Sequence, residues 1–89
     1  MKKTAVVTGG SGGIGEAICC ALARDGYNII VHCNSNTAKA RQIVNKLRHV
    51  YGIEADFVAC DLSTDDAGRI LGERIKEKTD EIDVRRFFI

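Results

Sequence analysis

The chain has 89 residues, a net charge of +1 and 45% hydrophobic side chains, which bounds it to one small domain. Balanced charge and 6% aromatic residues exclude a nucleic-acid surface built on basic runs and base stacking. No stretch approaches membrane-spanning length, and the apolar run after Met1-Lys2-Lys3 is only Ala5–Val7, too short for a signal peptide, so a cytoplasmic location is expected.

The first element is a β-prone run, Ala5-Val6-Val7. It leads into Thr8-Gly9-Gly10-Ser11-Gly12-Gly13-Ile14-Gly15, in which five of eight residues are glycine. A helix-period stripe follows. Strand, glycine turn and helix together present backbone N–H groups and a helix N-terminus to a phosphate. Glycine serves such a turn because it takes positive φ and because a Cβ would hold a pyrophosphate away from the backbone. Two spacings overlap: Gly10 to Gly15 fits G-x-G-x-x-G, and Gly9, Gly13 and Gly15 fit G-x-x-x-G-x-G. The alternative is a tight βα turn with no ligand. A Walker-type loop is disfavoured, because no Lys-Ser or Lys-Thr follows the glycines.

The first helix is expected from Gly13 to Arg24, with Ile14, Ala17, Ile18, Ala21 and Leu22 on one buried face and Gly26 as its stop. Ile29-Ile30-Val31 reads as a strand buried on both faces. Asn34-Ser35-Asn36-Thr37 is a polar loop that doubles as a cap. The second helix buries Ala40, Ile43, Val44, Leu47 and Tyr51 and ends at Gly52. Phe57–Cys60 is a third strand. Asp61 to Asp66 reads as a cap and acidic first turn of a third helix, which carries Ala67, Ile70, Leu71 and Ile75 on one face. Ile82-Asp83-Val84 begins a fourth strand. Cys19, Cys20, Cys33 and Cys60 form no C-x-x-C pair and no metal spacing with His32 or His49. They read as buried, reduced thiols, and the two histidines as ordinary surface or strand-end residues.

Alternation of strands and helices at short spacing predicts a parallel sheet with right-handed crossovers. The first two helices then share a face. Strand four beside strand one puts the third helix on the other face. The expected order is 3-2-1-4, a truncated half of a doubly wound, Rossmann-type α/β fold with its switch point beside the glycine turn.

At these residues the chain resembles the short-chain dehydrogenase/reductase family, and within it the 3-oxoacyl-(acyl-carrier-protein) reductases. The resemblance rests on Thr8 to Ile18, with support from Cys60-Asp61-Leu62-Ser63 and Glu81-Ile82-Asp83-Val84, and covers residues 3–84. It implies a dinucleotide held by Gly9, Ser11, Gly12, Gly13, Ile14 and Gly15. The backbone at Ser11 and Gly12 would lie near the adenosine ribose, and the Ile14 N–H near the pyrophosphate or nicotinamide side. Asp61 would take the adenine amino group, with Leu62 beside it; a helix-capping role for Asp61 is the alternative, and both are compatible. An NAD site wants a carboxylate at the end of strand two, to bind both ribose hydroxyls and repel a 2′-phosphate. None stands in Val31 to Asn36, and Asn34 and Ser35 are donors suited to a phosphate. NADP(H) is therefore expected over NAD(H), although Gly12 stands where many such NADPH enzymes carry arginine.

Residues 1–84 read as the dinucleotide-binding half, and 85–89 as a tail that departs from the family. Arg85 and Arg86 replace apolar strand residues there, and no Asn-Asn-Ala-Gly follows. The family's catalytic serine and Tyr-x-x-x-Lys pair have no counterpart: four residues after Tyr27 and Tyr51 stand Val31 and Ala55. The expectation is a fragment produced by a frameshift or premature stop after Val84, inactive alone. The alternative is a stand-alone nucleotide-binding or regulatory module whose open sheet edge is covered by another chain.

Overall fold

The computed structural model describes residues 3–63 and 66–78. Six elements alternate along them: β1 (Thr4–Val7), α1 (Gly13–Arg24), β2 (Asn28–Cys33), α2 (Thr37–Tyr51), β3 (Ala55–Ala59) and α3 (Ala67–Lys78). The three strands are parallel with β2 in the centre, and Val7, Val31 and Phe57 lie in register across them. The 3-2-1 part of the expected order is thus observed. The fourth strand, Ile82–Val84, and the tail 85–89 lie outside the described residues.

The period of two along β2 assigns its side chains to two cores. Ile29, Val31 and Cys33 pack with Ala5, Val7, Ala40, Ile43, Val44 and Leu47 under α1 and α2. Ile30 lies on the other face with Val6, Val58, Cys60 and the α3 residues Leu71 and Ile75. Both faces of the sheet are therefore covered, with α3 opposite the first two helices.

Helix α1 runs from Gly13 to Arg24 as expected, but its buried stripe differs. Gly15, Cys19 and Ala23 face the sheet, whereas Ile14 is 83% exposed, Ala17 and Ala21 are exposed, and Ile18 and Leu22 are half-buried. The reason is distance. The helix lies so close that a Cβ on Gly15 would stand 2.3 Å from the Gly9 carbonyl oxygen. Only its smallest side chains fit beneath it, so the larger apolar ones turn outward or toward α2.

Helix α2 follows the expected pattern. Asn36 Oδ1 accepts from Lys39 N–H at 3.1 Å, which caps its start. Gly52 ends it at φ 66°, the left-handed conformation that terminates helices. Glu16 of α1 meets Lys39 and Lys46 of α2, each at 3.4 Å, and the Lys46 ammonium leads in holding its carboxyl below the usual carboxylate range. These pairs are partly exposed and contribute about 0–1 kcal/mol each.

The outer edge of β3 is occupied by side chains. A parallel ladder points alternate residues away from β2. Arg48 of α2 donates to the Ala55 carbonyl at 2.6 and 2.9 Å, Phe57 N–H donates to Asp56 Oδ1 at 2.8 Å, and Arg74 of α3 donates to the Ala59 carbonyl. One arginine from α2, one from α3 and one carboxylate thus take the positions a further strand would use.

The expected acidic first turn of α3 is not observed. The helix begins at Ala67, six residues beyond Asp61, and carries no acid in its first turn. Asp66 lies just before it, where its backbone carbonyl accepts from Ile70 N–H at 3.0 Å and its carboxylate meets Arg69 at 3.7 Å.

Two outcomes follow from this packing. Leu47→Ala opens a cavity in the α2 core and should lower the unfolding free energy by about 2–5 kcal/mol in urea titration. Val50→Ala, at a side chain 63% exposed, should change it by less than about 0.5 kcal/mol; equal effects would contradict the assignment of the buried face. Burial, with lesser contributions from Cys20 and Glu16, pushes the Cys19 thiol up to about 12. Native chain at pH 8 should therefore react with iodoacetamide at half-buried Cys20 well before Cys19, read by peptide mass mapping.

Candidate dinucleotide site

Parallel strands place their C-terminal ends along one edge of the sheet. Three segments meet that edge: Thr8–Gly15 after β1, Asn34–Asn36 after β2, and Asp61–Ser63 after β3. Every residue singled out in the sequence for nucleotide contact lies on one of these three.

The glycine turn divides by what each glycine does. Gly9 takes φ 64°, and its carbonyl accepts from Gly12 N–H at 3.1 Å, closing a turn over Gly10 and Ser11. Gly10 is buried, and a Cβ there would stand 2.9 Å from Val31 Cγ1 and 3.0 Å from the Val7 carbonyl. Gly15 allows the close seating of α1. These three glycines are required by the chain itself, and Gly10 was not among the contact residues expected from sequence. Gly12 and Gly13 differ. A Cβ on Gly12 would make only an ordinary 3.5 Å contact, and one on Gly13 would meet nothing within 4 Å. Protein packing gives no reason for glycine at either position, whereas a group approaching the backbone from outside does.

The start of α1 fits such a group. Its cap is Gly12, which has no side chain to accept the first-turn N–H groups. Helix α2 spends the Asn36 carboxamide on that role. The α1 terminus thus presents donors and the positive end of the helix dipole to the edge of the sheet. Ile14 is 83% exposed on that first turn, and Leu62 is 41% exposed across the edge. Both offer apolar surface to a planar ring.

Asn34 and Ser35 are exposed. The Ser35 carbonyl accepts from Thr37 N–H at 2.9 Å. His32 and Cys33 are buried, so the loop presents Asn34 and Ser35, without an acid, where a ribose would be read. Asp61 is exposed and accepts from Ser63 N–H at 2.9 Å. That N–H, and then the Ser63 hydroxyl, hold the Asp61 carboxyl below the usual carboxylate range. Asp61 thus braces its own turn.

His32 stands near the end of β2, one of the two alternatives expected for it, but it is not a surface residue: it is 1% exposed and is the one buried polar side chain among the described residues. Nδ1 accepts from Gly9 N–H at 3.0 Å, and Nε2 lies 2.8 Å from the Cys60 carbonyl. A carbonyl only accepts and an amide N–H only donates, so the ring is neutral with its proton on Nε2. The available signal was a polar residue inside the apolar run Ile29-Ile30-Val31-His32-Cys33, since a buried polar group must find partners.

The short chain dehydrogenase family pattern matches residues 3–84. The oxidoreductase YmfI of Bacillus subtilis is 40% identical over 82 residues, 92% of this chain and 34% of its own length. The acetoacetyl-CoA reductase of Allochromatium vinosum is 36% identical over 85 residues, 94% of this chain and 34% of its own. Relatives also include 3-oxoacyl-[acyl-carrier-protein] reductases, one from Staphylococcus epidermidis being 32% identical over 82 residues, 92% of this chain and 30% of its own. Among solved structures, the alcohol dehydrogenase of the archaeon Thermococcus sibiricus, complexed with 5-hydroxy-NADP, superposes with a TM-score of 0.83 at 34% identity, covering 93% of this chain and 35% of that one. The chain spans about a third of the length of the curated relatives it matches. On the match over 3–84 and these identities, the chain belongs to the short-chain dehydrogenase family.

Proposed function

We propose that residues 1–84 form the dinucleotide-binding half of an NADP(H)-dependent short-chain reductase acting on a 3-oxoacyl thioester. The observation that carries this reading is the edge where three strand ends converge: a glycine turn with an uncapped helix start, a loop of neutral donors and a braced carboxylate. In the proposal, backbone N–H groups of Gly13, Ile14 and Gly15 take the pyrophosphate. Gly9, Ser11 and Gly12 line the adenosine ribose, and Asn34 and Ser35 donate to its 2′-phosphate. Asp61 accepts from the adenine amino group, with Leu62 against the ring. The bound cofactor would supply a hydride. Ile14 and Leu62 exclude water from the flanks of the site.

Thioester specificity is supported by relatives named as acetoacetyl-CoA and 3-oxoacyl-[acyl-carrier-protein] reductases. The NADP(H) preference is supported by the acid-free loop after β2 and by the 5-hydroxy-NADP complex of the Thermococcus sibiricus enzyme. In the proposal this chain binds nucleotide without turning over, since a reductase of this kind needs a proton donor and neither Tyr27 nor Tyr51 is followed by a lysine four residues on. Four free thiols support a cytoplasmic location.

Fluorescence titration tests the reading. NADPH should bind about tenfold tighter than NADH, a difference of ~1.4 kcal/mol; equal affinities or tighter NADH would sink the cofactor assignment. Gly13→Val places its Cβ in open space at the start of α1, where no atom of the chain lies within 4 Å of it. It should leave the unfolding free energy in urea within about 0.5 kcal/mol of the unsubstituted value and weaken NADPH binding by about tenfold or more. Unchanged NADPH binding would place the nucleotide elsewhere.

A further inference from the structure

His32 is buried yet takes no part in the nucleotide contacts proposed above. Its two ring nitrogens reach residues 23 and 28 positions away in sequence, one on either side of β2. Nδ1 holds Gly9 N–H, in the turn after β1, and Nε2–H holds the carbonyl of Cys60, just past β3. The backbone around it is also engaged: Gly10 N–H donates to the His32 carbonyl at 2.9 Å, and Cys60 N–H donates to the Cys33 carbonyl at 2.9 Å. One ring therefore spans all three strand ends at the edge where the site lies.

Both bonds lead directly into that site. Gly9 is the positive-φ residue whose carbonyl accepts from Gly12, the cap of α1. Fixing the Gly9 amide fixes the turn and the start of the helix. Cys60 precedes Asp61 and Leu62, so fixing its carbonyl fixes the opposite wall. Cys60 Sγ adds a 3.8 Å contact to the Ala67 carbonyl, tying that wall to α3.

We propose that His32 is a positioning residue for dinucleotide binding: its neutral ring sets the glycine turn against the Asp61–Leu62 segment, and affinity follows its bond to Gly9. This inference rests on the nucleotide reading above. An imidazole suits the task because it accepts at one nitrogen and donates at the other across a rigid ring. A shorter amide reproduces one arm and a longer amide the other. In His32→Asn, the carboxamide oxygen falls near the place of Nδ1 and can accept from Gly9, but the side chain stops short of Cys60. In His32→Gln, the amide nitrogen reaches toward the Cys60 carbonyl, but no acceptor stands at the place of Nδ1. His32→Leu has neither.

The experiment combines ring nitrogen NMR, urea unfolding and NADPH titration on the full chain and its three variants. In the unsubstituted chain the ¹⁵N shifts should show Nε2 protonated and Nδ1 bare, with the Gly9 amide protected from exchange. NADPH affinity should stay within about threefold in His32→Asn and fall about tenfold or more in His32→Gln and His32→Leu. The Asn and Gln variants should lose comparable stability, so affinity and stability part company. If Leu fails to fold, the Asn–Gln pair decides alone. Equal affinities in Asn and Gln, or a ring protonated at Nδ1, overturn the positioning role. No binding of NADPH or NADH by the unsubstituted chain, with the ring and Gly9 amide as described, overturns the nucleotide reading and the affinity claim with it.

Discussion

The seating of α1 on the turn that precedes it governs the rest of this fold. A Cβ on Gly15 would lie 2.3 Å from the Gly9 carbonyl oxygen and 2.7 Å from Gly10 Cα, distances at which backbone, not a flexible side chain, would have to yield. That approach fixes which residues α1 buries, the angle at which its N-terminus meets the sheet edge, and the position of the uncapped N–H groups. Gly10 extends the same constraint downward, because its missing side chain lets the turn rest on Val31. The site is a consequence of helix–sheet packing before it is a consequence of any ligand.

Around that contact the molecule is built asymmetrically. One face of the sheet carries two helices and the larger core, and the other carries α3 through Val58, Cys60, Leu71 and Ile75. The β3 edge is closed by Arg48, Asp56 and Arg74. Closing that edge directs pairing elsewhere and leaves the strand ends to loops that differ in chemistry: backbone donors after β1, neutral side-chain donors after β2, a carboxylate after β3. Ion pairs between Glu16 and the two α2 lysines hold the helices that flank the first two loops, but their exposure keeps their contribution small. Apolar burial and backbone closeness decide the geometry.

Element order, the two-face arrangement and the Gly26 and Gly52 helix stops were legible in the sequence, because periodicity and glycine chemistry are local signals. The β2 and α2 cores were legible for the same reason. The buried stripe of α1 was not. Its hydrophobic pattern favoured Ile14, Ile18 and Leu22, and the close approach that selects Gly15, Cys19 and Ala23 is a tertiary constraint visible only when Gly15 meets Gly9. Helix α3 starts later than expected, at Ala67, because a run of capping residues from Asp61 to Asp66 offers several starts. The strand-end position of His32 was legible, but its burial was not, because a histidine in isolation says nothing of partners. Its two acceptor and donor neighbours are 23 and 28 residues away in sequence. Asp61 and Leu62 were singled out through the family resemblance, Asn34 and Ser35 by the lack of an acid after β2, and the fold places all four at strand ends along one edge.

The proposed function seats a dinucleotide on this edge of the sheet. Amide ¹H–¹⁵N spectra recorded during addition of NADPH test it residue by residue. Shifts should concentrate at Gly9, Ser11, Gly12, Gly13, Ile14 and Gly15, with further shifts at Asn34, Ser35, Asp61 and Leu62. Asn28 and Glu54, bonded to each other at the opposite ends of β2 and β3 by a 3.1 Å contact, should stay unmoved. Shifts centred on Asn28 and Glu54, or saturating NADPH with no shift along Gly9–Gly15, would contradict it.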